Sequence, residues 1–300
     1  MIQRIVVINY LGEMMELSLT NPEESGFIIT NISGLNPPKT NVTVSESAQI
    51  DGGYLTSTHV NSRNIVFTLR FTPNKTIEEC RLISYRLFPV KTNTTLLFET
   101  ENRAVQINGV IESNEAELFS KNSATRISIV CPSPFFQSVG QNIATFGSTE
   151  PLFEFEFGNE SLEEPLIEMS TRTYSHAMNV VYSGDVDTGG IFTIDFLGLC
   201  EGLIITDGRG HYMNIDTSKV AEHTGTAIGP GDRILINTLR GEKGIYLVRN
   251  GVSSSAFYCI DRYFEWLYFQ PGNNTISYTA STGVDNIIIQ VTHPIYYQGI

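Results

Sequence analysis

The sequence lacks the features that mark membrane, zinc-binding and disulfide-stapled proteins. No apolar run approaches the ~18 residues that a membrane helix requires, so no membrane insertion is expected. Cysteine is scarce and scattered, and without a CxxC pair it predicts neither a zinc site nor a disulfide framework. We expect four reduced, mostly buried thiols, at Cys80, Cys131, Cys200 and Cys259. The first residues, MIQRIVVINYLGEMMEL, lack the apolar core and cleavage site of a signal peptide, so folding in a cytoplasm is expected.

Basic residues are also scarce. The chain has 19 Lys and Arg against 32 Asp and Glu, a net charge of −13, which argues against binding to a nucleic-acid backbone. Residues 1–138 hold 11 basic against 13 acidic residues, and residues 139–300 hold 8 against 19. A nearly neutral half can pack against copies of itself, whereas an acidic half repels its neighbours and stays soluble.

Catalytic signatures are missing as well. No G-x-S-x-G elbow, P-loop or HExxH motif occurs, and the five histidines have no metal-ligand spacing. The segment DVDTGG (185–190) begins like a calcium loop but has Gly189 and Phe196 where ligands are required. The Glu and Phe alternation in residues 150–168 fits the solvated face of a strand or, alternatively, the carboxylate pair of a glycosidase. The sequence therefore predicts no enzyme and no cofactor.

The first half of the chain predicts strands and one helix. β-branched or alternating runs indicate strands at 4–9, 26–33, 64–71, 93–100, 104–113 and 125–131. The helix, over 76–89, opens with a capping box of Thr76 and Glu79 and stops at Pro89. Its predicted apolar stripe is Ile77, Cys80, Ile83, Leu87 and Phe88. A single amphipathic helix needs a sheet to lie on, so the first domain is predicted to be α+β.

The segment PSPFFQSVGQN (132–142) breaks this pattern, and we expect a first domain over 1–137 and a second over 138–300. Hairpins are predicted at 204–215 and 231–251, and a final strand pair at 274–281 and 285–292. Strands spaced so regularly favour a β-sandwich.

Aromatic residues cluster around the single tryptophan, Trp266, with Tyr263 and Tyr268 nearby. If exposed, such rings could stack on sugars, because their faces suit that contact. The other interpretation is that Trp266 belongs to the sandwich core. The first interpretation leads to an alternative function, a carbohydrate-binding module that adheres to host cell-wall polysaccharide.

The longest segment without a predicted element, GLNPPKTNVTVSESAQIDGGYLTSTHVNSRN (34–64), is polar and rich in turn formers. Structureless loops of this length are uncommon in compact domains unless they are functional or disordered. Its GLNPP (34–38), the S-x-x-x-D-G pattern from Ser47 and VNSRNI (60–65) resemble the distal tail protein family of long-tailed phages and prophages of Gram-positive bacteria. The similarity continues through residues 77–103, 109–121 and 127–136 and more loosely through the second half.

The resemblance implies a mainly β fold. Its first domain would be a β-sandwich with one helix and an extended hairpin, or belt, and its second a galectin-like or carbohydrate-module-like sandwich. Insertions around 150–180 or 250–270 are expected, since the second half is longer than a minimal galectin-like domain. The family is structural, so the resemblance implies no catalytic, cofactor or metal residues.

The resemblance also implies a role in the virion. Six copies would close into a ring at the tail tip, joining the tail tube protein to the tail-tip protein and often carrying receptor-binding proteins, with assembly in the host cytoplasm. Residues 34–64 would then be an inter-subunit belt. Its candidate interface residues are Gly34, Leu35, Asn36, Pro37, Pro38, Asp51, Gly52, Asn61, Arg63 and Asn64.

Overall fold

The structure, a computed structural model, describes residues 2–47, 50–117, 123–140, 142–146, 148–151, 170–173 and 175–300. It has two compact units: unit 1 comprises Met1–Val139 with Tyr296–Ile300, and unit 2 comprises Gly140–Ile295. From the sequence we expect the boundary after residue 137. The sequence does not predict that residues 296–300 belong to unit 1. Of the acidic segment predicted as a strand at 150–168, residues 152–168 lie outside the described residues.

Unit 1 is built mainly of strands. Its strands, numbered along the chain, are β1 (Ile2–Ile8), β2 (Met14–Glu16), β3 (Phe27–Ser33), β4 (Thr40–Ser47), β5 (Ile50–Val60), β6 (Arg63–Phe71), β7 (Asn93–Thr100), β8 (Ala104–Ala116), β9 (Ala124–Cys131), β10 (Phe136–Ser138) and, from the C-terminus, β23 (Tyr296–Tyr297). Its helices are the single turn α1 (Pro22–Ser25) and α2 (Ile77–Leu87).

The core of unit 1 lies inside one antiparallel sheet in the order β2-β1-β7-β8-β9-β6-β3, with β10 and β23 attached beside β8. In a flat sheet β6 and β7 would be about 14 Å apart, because two strands separate them. Their Phe67 and Phe98 rings nevertheless stack with centroids 6.4 Å apart. The sheet therefore folds over itself, with a bulge in β8 between Ile111 and Ser113 at the bend, and encloses an apolar core as a sandwich does.

Helix α2 begins with the capping box that the sequence predicts. Thr76 Oγ1 accepts a hydrogen bond from the Glu79 backbone N–H at 3.2 Å, and Glu79 Oε2 accepts one from the Thr76 N–H at 2.9 Å. The buried stripe differs from the predicted one, since Ile77 is 47% exposed and Ser84 is buried. Burial of Ser84 is tolerated because its hydroxyl donates to Asn114 Oδ1 of β8.

Unit 2 consists of two main antiparallel sheets. Its strands are β11 (Asn142–Thr145), β12 (Ser148–Pro151), β13 (Ser170–Thr173), β14 (Ala177–Tyr182), β15 (Ile191–Phe196), β16 (Leu203–Asp207), β17 (Tyr212–Ile215), β18 (Arg233–Asn237), β19 (Gly244–Arg249), β20 (Val252–Ser255), β21 (Gly272–Thr279) and β22 (Ile287–His293), and its α-helix is α3 (Ser218–Thr224). Short 3₁₀ turns lie at Phe257–Cys259 and Val284–Asn286.

One sheet of unit 2 has the order β11-β22-β15-β18-β19-β20 and the other β14-β21-β16-β17, while β12 and β13 pair separately. Alternate side chains of each sheet are buried, and rings from the two sheets meet: Tyr182 of β14 contacts His293 of β22 with centroids 5.5 Å apart. This arrangement confirms a mainly β fold. The predicted hairpins at 204–215 and 231–251 form, but the predicted final pair is wrong, because β21 and β22 lie in different sheets.

None of the helices in the described part of the chain has the length and apolar character needed to cross a bilayer. The four cysteines are free and buried, as the sequence predicts. Burial raises the pKa of the Cys131, Cys200 and Cys259 thiols to about 11.

The capping box makes a prediction for the stability of unit 1. Thr76→Ala removes the acceptor for the Glu79 N–H and should lower the free energy of unfolding by about 1 kcal/mol. Urea denaturation measures this loss. Thr76→Ser keeps the oxygen and is the control, so equal losses in the two variants would contradict the role of the cap.

The buried thiols make a prediction for reactivity. A pKa of about 11 leaves about one thiol in a thousand ionised at pH 8, so Cys131, Cys200 and Cys259 should react with Ellman's reagent far more slowly than free cysteine. In urea all four thiols should react at the rate of a model thiol. Rapid reaction of these three thiols in the folded protein would show that they are accessible.

Candidate assembly interface

Strands β4 and β5 form an antiparallel hairpin within the segment 34–64. Among the described residues, each pairs only with the other, from Thr40 opposite Val60 to the end of β4. The pairing shifts by one residue where Thr43 lies opposite Ser57 but Val44 lies opposite Leu55, which leaves Thr56 as the extra residue of a bulge. The segment is therefore a long two-stranded ribbon rather than an irregular loop.

The ribbon is exposed over residues 40–46 and 51–59, and Val60 at its base is partly buried. Val44, 50% exposed, and Leu55, 65% exposed, are directly opposite each other and share a face with Val42. Tyr54 lies opposite Ser45 on the other face. None of these four apolar residues belongs to the core cluster of unit 1.

An isolated two-stranded ribbon is marginally stable in water, and its outer edges leave backbone N–H and C=O groups unpaired. Here the ribbon also exposes β-branched and aromatic side chains to solvent. Exposed apolar side chains on a protruding element are the usual mark of a surface that binds another protein.

The base of the ribbon is held by Arg63, the first residue of β6. Its side chain is only 5% exposed and forms no ion pair with a carboxylate among the described residues. Instead it donates to four backbone carbonyls: those of Pro134 at 2.6 Å, Gly34 at 2.6 Å, Asn36 at 2.9 Å and Gln298 at 2.5 Å.

Two further features complete this anchor. The Arg63 guanidinium lies 4.5 Å from the ring centroid of Phe136, a cation–π contact. Burial lowers the pKa of Arg63 from its ordinary value. One planar group thus joins both ends of the ribbon to the start of β10 and to the C-terminal residues.

The glycine at the start of the segment is required by close packing. Gly34 has φ of +89°, and a Cβ there would lie 2.2 Å from the carbonyl oxygen of Asn64. The next residue, Leu35, accepts a hydrogen bond from the backbone N–H of Ile300 at 3.2 Å. Backbone geometry and the C-terminal residues therefore fix the ribbon where it leaves the sheet.

The candidate interface residues predicted from sequence fall into two groups. Asp51 and Gly52 are exposed in β5, close to the tip of the ribbon. The other eight surround its base, where Arg63 is buried, Gly34, Leu35 and Pro38 are partly buried, and Asn36, Pro37, Asn61 and Asn64 are exposed. Arg63 is buried against its own chain and positions the base of the ribbon.

Sequence reasoning missed the four exposed apolar residues of the ribbon. The signal is present in TNVTVSES, where Val42 and Val44 alternate with polar residues as in a strand. The density of Asn, Ser and Gly in the surrounding segment obscured that alternation.

The aromatic candidates lie in unit 2, in an irregular segment before β21. Leu267 and Phe269 are buried, whereas Trp266 and Tyr268 are partly exposed and Tyr263 is exposed. Trp266 is partly exposed and packs against the rings of Phe257 and Phe264.

Comparison with known proteins identifies the architecture. No family model and no curated protein matches the sequence. The solved structure of the SPP1 Dit protein (gp 19.1), described as a paradigm of the hub adsorption apparatus in phages that infect Gram-positive bacteria, superposes with a TM-score of 0.65. The match covers 97% of this chain and 98% of that one at 11% identity.

This chain has the fold of the SPP1 Dit protein. A baseplate structure of phage P2 in its activated conformation with calcium also matches, with 13% identity, 98% of both chains covered and a TM-score of 0.48. The Dit-like fold agrees with the mainly β architecture that the family resemblance implied.

The anchor makes a prediction for the ribbon. Arg63→Lys replaces the planar guanidinium with a single ammonium group, which cannot donate to all four carbonyls at once. The free energy of unfolding should therefore fall by about 2 kcal/mol or more. Limited proteolysis should also cleave within 36–62 sooner than in the wild type. Arg70→Lys, at an exposed position of the same strand, is the matched control, and equal behaviour of the two variants would contradict the anchor.

Proposed function

We propose that this protein is a structural hub of a phage tail tip and a member of the distal tail protein family. In this proposal six copies close into a ring through the β4–β5 ribbon. The observation that carries it is a ribbon with exposed apolar side chains, held rigidly at its base, on a chain with the Dit fold.

The geometry of the ribbon suits a ring. A ring of identical subunits uses heterologous contacts, in which one surface of each copy binds a different surface of the next. A protruding ribbon that pairs with no other strand among the described residues can act as the donor in such a contact. Burial of Val42, Val44, Leu55 and Tyr54 against a neighbour would remove the apolar surface that the single chain exposes to water.

The distribution of charge supports the same assembly. Residues 1–138 have 11 basic against 13 acidic residues, a balance that allows close packing of copies around an axis. Residues 139–300 have 8 against 19, and such an acidic surface suits a periphery that must not self-associate.

The role requires no catalysis and no cofactor. The ring would join the tail tube protein to the tail-tip protein and offer its periphery to receptor-binding proteins. It would assemble in the host cytoplasm, where the buried reduced thiols are compatible with the redox conditions, and would remain in the virion.

Light scattering after gel filtration tests the ring. The wild-type chain, 33.3 kDa, should elute as a species of about 200 kDa, the mass of six copies. The double variant Val44→Asp with Leu55→Asp places two charges on the apolar face of the ribbon and should elute as a monomer with an unchanged circular dichroism spectrum.

The matched control is Val252→Asp, which changes an exposed valine of unit 2 and should leave the hexamer intact. A wild-type chain that remains monomeric at all concentrations would contradict a ring built by this chain alone. A hexamer that survives both charges on the ribbon would show that the ring uses another surface.

A further inference from the structure

Asparagine is followed by glycine at two places in the chain, Asn108–Gly109 and Asn250–Gly251. In such a pair the backbone nitrogen of the glycine can attack the side-chain amide carbon of the asparagine and close a succinimide ring. Glycine favours this reaction because it has no Cβ to obstruct the approach or to restrict the backbone. The structure places the two pairs in very different surroundings.

Asn250 and Gly251 form the two-residue turn that joins β19 to β20, with Arg249 and Val252 paired on either side of it. Their φ angles are +52° and +78°, as in the type I′ turns that close many hairpins. Both residues are exposed, and a Cβ at Gly251 would meet no atom within 4 Å. The described part of the chain therefore leaves open space around this turn.

The turn also lies at the edge of a sheet. Strand β20 is the last in the order β11-β22-β15-β18-β19-β20, and all four of its residues are exposed. Among the described residues, no hydrogen bond holds the side-chain amide of Asn250. Ring closure requires Asn250 to rotate out of its turn conformation, and such local opening costs least in exposed elements with few buried contacts.

The pair Asn108–Gly109 provides an internal comparison. It lies within β8, which is paired on both sides, with β7 and β9. Asn108 is also exposed, but its Oδ1 accepts a hydrogen bond from the Thr95 hydroxyl at 2.7 Å. A Cβ at Gly109 would lie 2.6 Å from Ile129 Cγ2 and 2.9 Å from Cys131 Sγ, so the backbone has little room to rotate. The two pairs thus share their sequence and their exposed asparagine but differ in the freedom of the backbone.

We propose that Asn250 is a site of spontaneous deamidation, in which its side-chain amide is converted to a carboxylate. The Gly251 backbone nitrogen bonds to Asn250 Cγ as the bond from Cγ to the amide nitrogen breaks. The proton of the Gly251 nitrogen leaves with the amide group as ammonia. Water then opens the succinimide ring at one of its two carbonyls, which leaves either aspartate or isoaspartate.

The modification changes the turn in two ways. Either product adds a negative charge to residues 139–300, which already hold 8 basic against 19 acidic residues. Isoaspartate also inserts an extra methylene into the main chain, which a two-residue turn cannot accommodate without a change in the pairing of β19 with β20. The site goes beyond the hub function, because it concerns a turn of unit 2 and requires neither a ring of copies nor a partner.

Peptide mapping by mass spectrometry tests the site in the full folded chain. The protein is incubated at neutral and at alkaline pH and is then digested with pepsin in acid, where ring closure is slow. Asn250 should be converted faster than Asn108 by about tenfold or more, because the exposed turn opens more often than the paired strand. Alkaline pH should accelerate the conversion, since the attacking nitrogen must lose its proton. In urea the two sites should react at similar rates.

Gly251→Ala places a methyl group on the attacking residue and should slow the conversion of Asn250 by about tenfold or more. The matched control is Gly229→Ala, at another glycine with open space around it, which should leave the rate unchanged. Circular dichroism checks that both variants fold, and the comparison with Asn108 requires neither of them. Conversion of Asn250 no faster than that of Asn108 in the folded protein would overturn the proposal, as would a wild-type rate in folded Gly251→Ala.

Discussion

A buried arginine that binds backbone carbonyls, with no carboxylate partner in the described part of the chain, is the constraint on which the exposed ribbon depends. A guanidinium out of water must have its donors satisfied, and in Arg63 they are satisfied by four backbone carbonyls from three separate parts of unit 1. Carbonyls cannot titrate, so the anchor does not change with pH as a carboxylate pair would. The position of the ribbon's base thereby depends on this side chain, together with the close packing of Gly34 and the hydrogen bond from Ile300 to Leu35.

The two units differ in where their exposed apolar and aromatic side chains lie. Unit 1 combines an enclosed apolar core with a ribbon whose apolar side chains are exposed to solvent. Unit 2 has a complete sandwich core and places its distinctive residues in the irregular segment before β21, where the side chains that do not enter the core form the wall of a cleft. Each unit has its own apolar core, so a substitution on the surface of one need not disturb the core of the other.

Local signals in the sequence predicted local structure well. The capping box at Thr76 located the start of α2, and the alternation of β7 located its two ends, because both depend on neighbours within a few residues. Long-range pairing was not readable: β21 and β22 look like a hairpin in sequence, yet they join different sheets, since the turn between them crosses the sandwich. The length of the ribbon and its family resemblance mark it as special. The alternation of Val42 and Val44 is hidden among turn-forming residues, and the burial of Arg63 is a tertiary property that no local pattern encodes.

The return of residues 296–300 to unit 1 has a consequence for synthesis. One of the four carbonyls bound by Arg63 belongs to Gln298, and β10 gains its partner β23 only from Tyr296 and Tyr297. On the ribosome, the sheet and helix of unit 1 can form long before these residues exist, but the base of the ribbon stays incomplete until they emerge. In a nascent chain Arg63 therefore lacks one of its four carbonyl acceptors until unit 2 has been translated, and completion of the ribbon's base is a late event in folding.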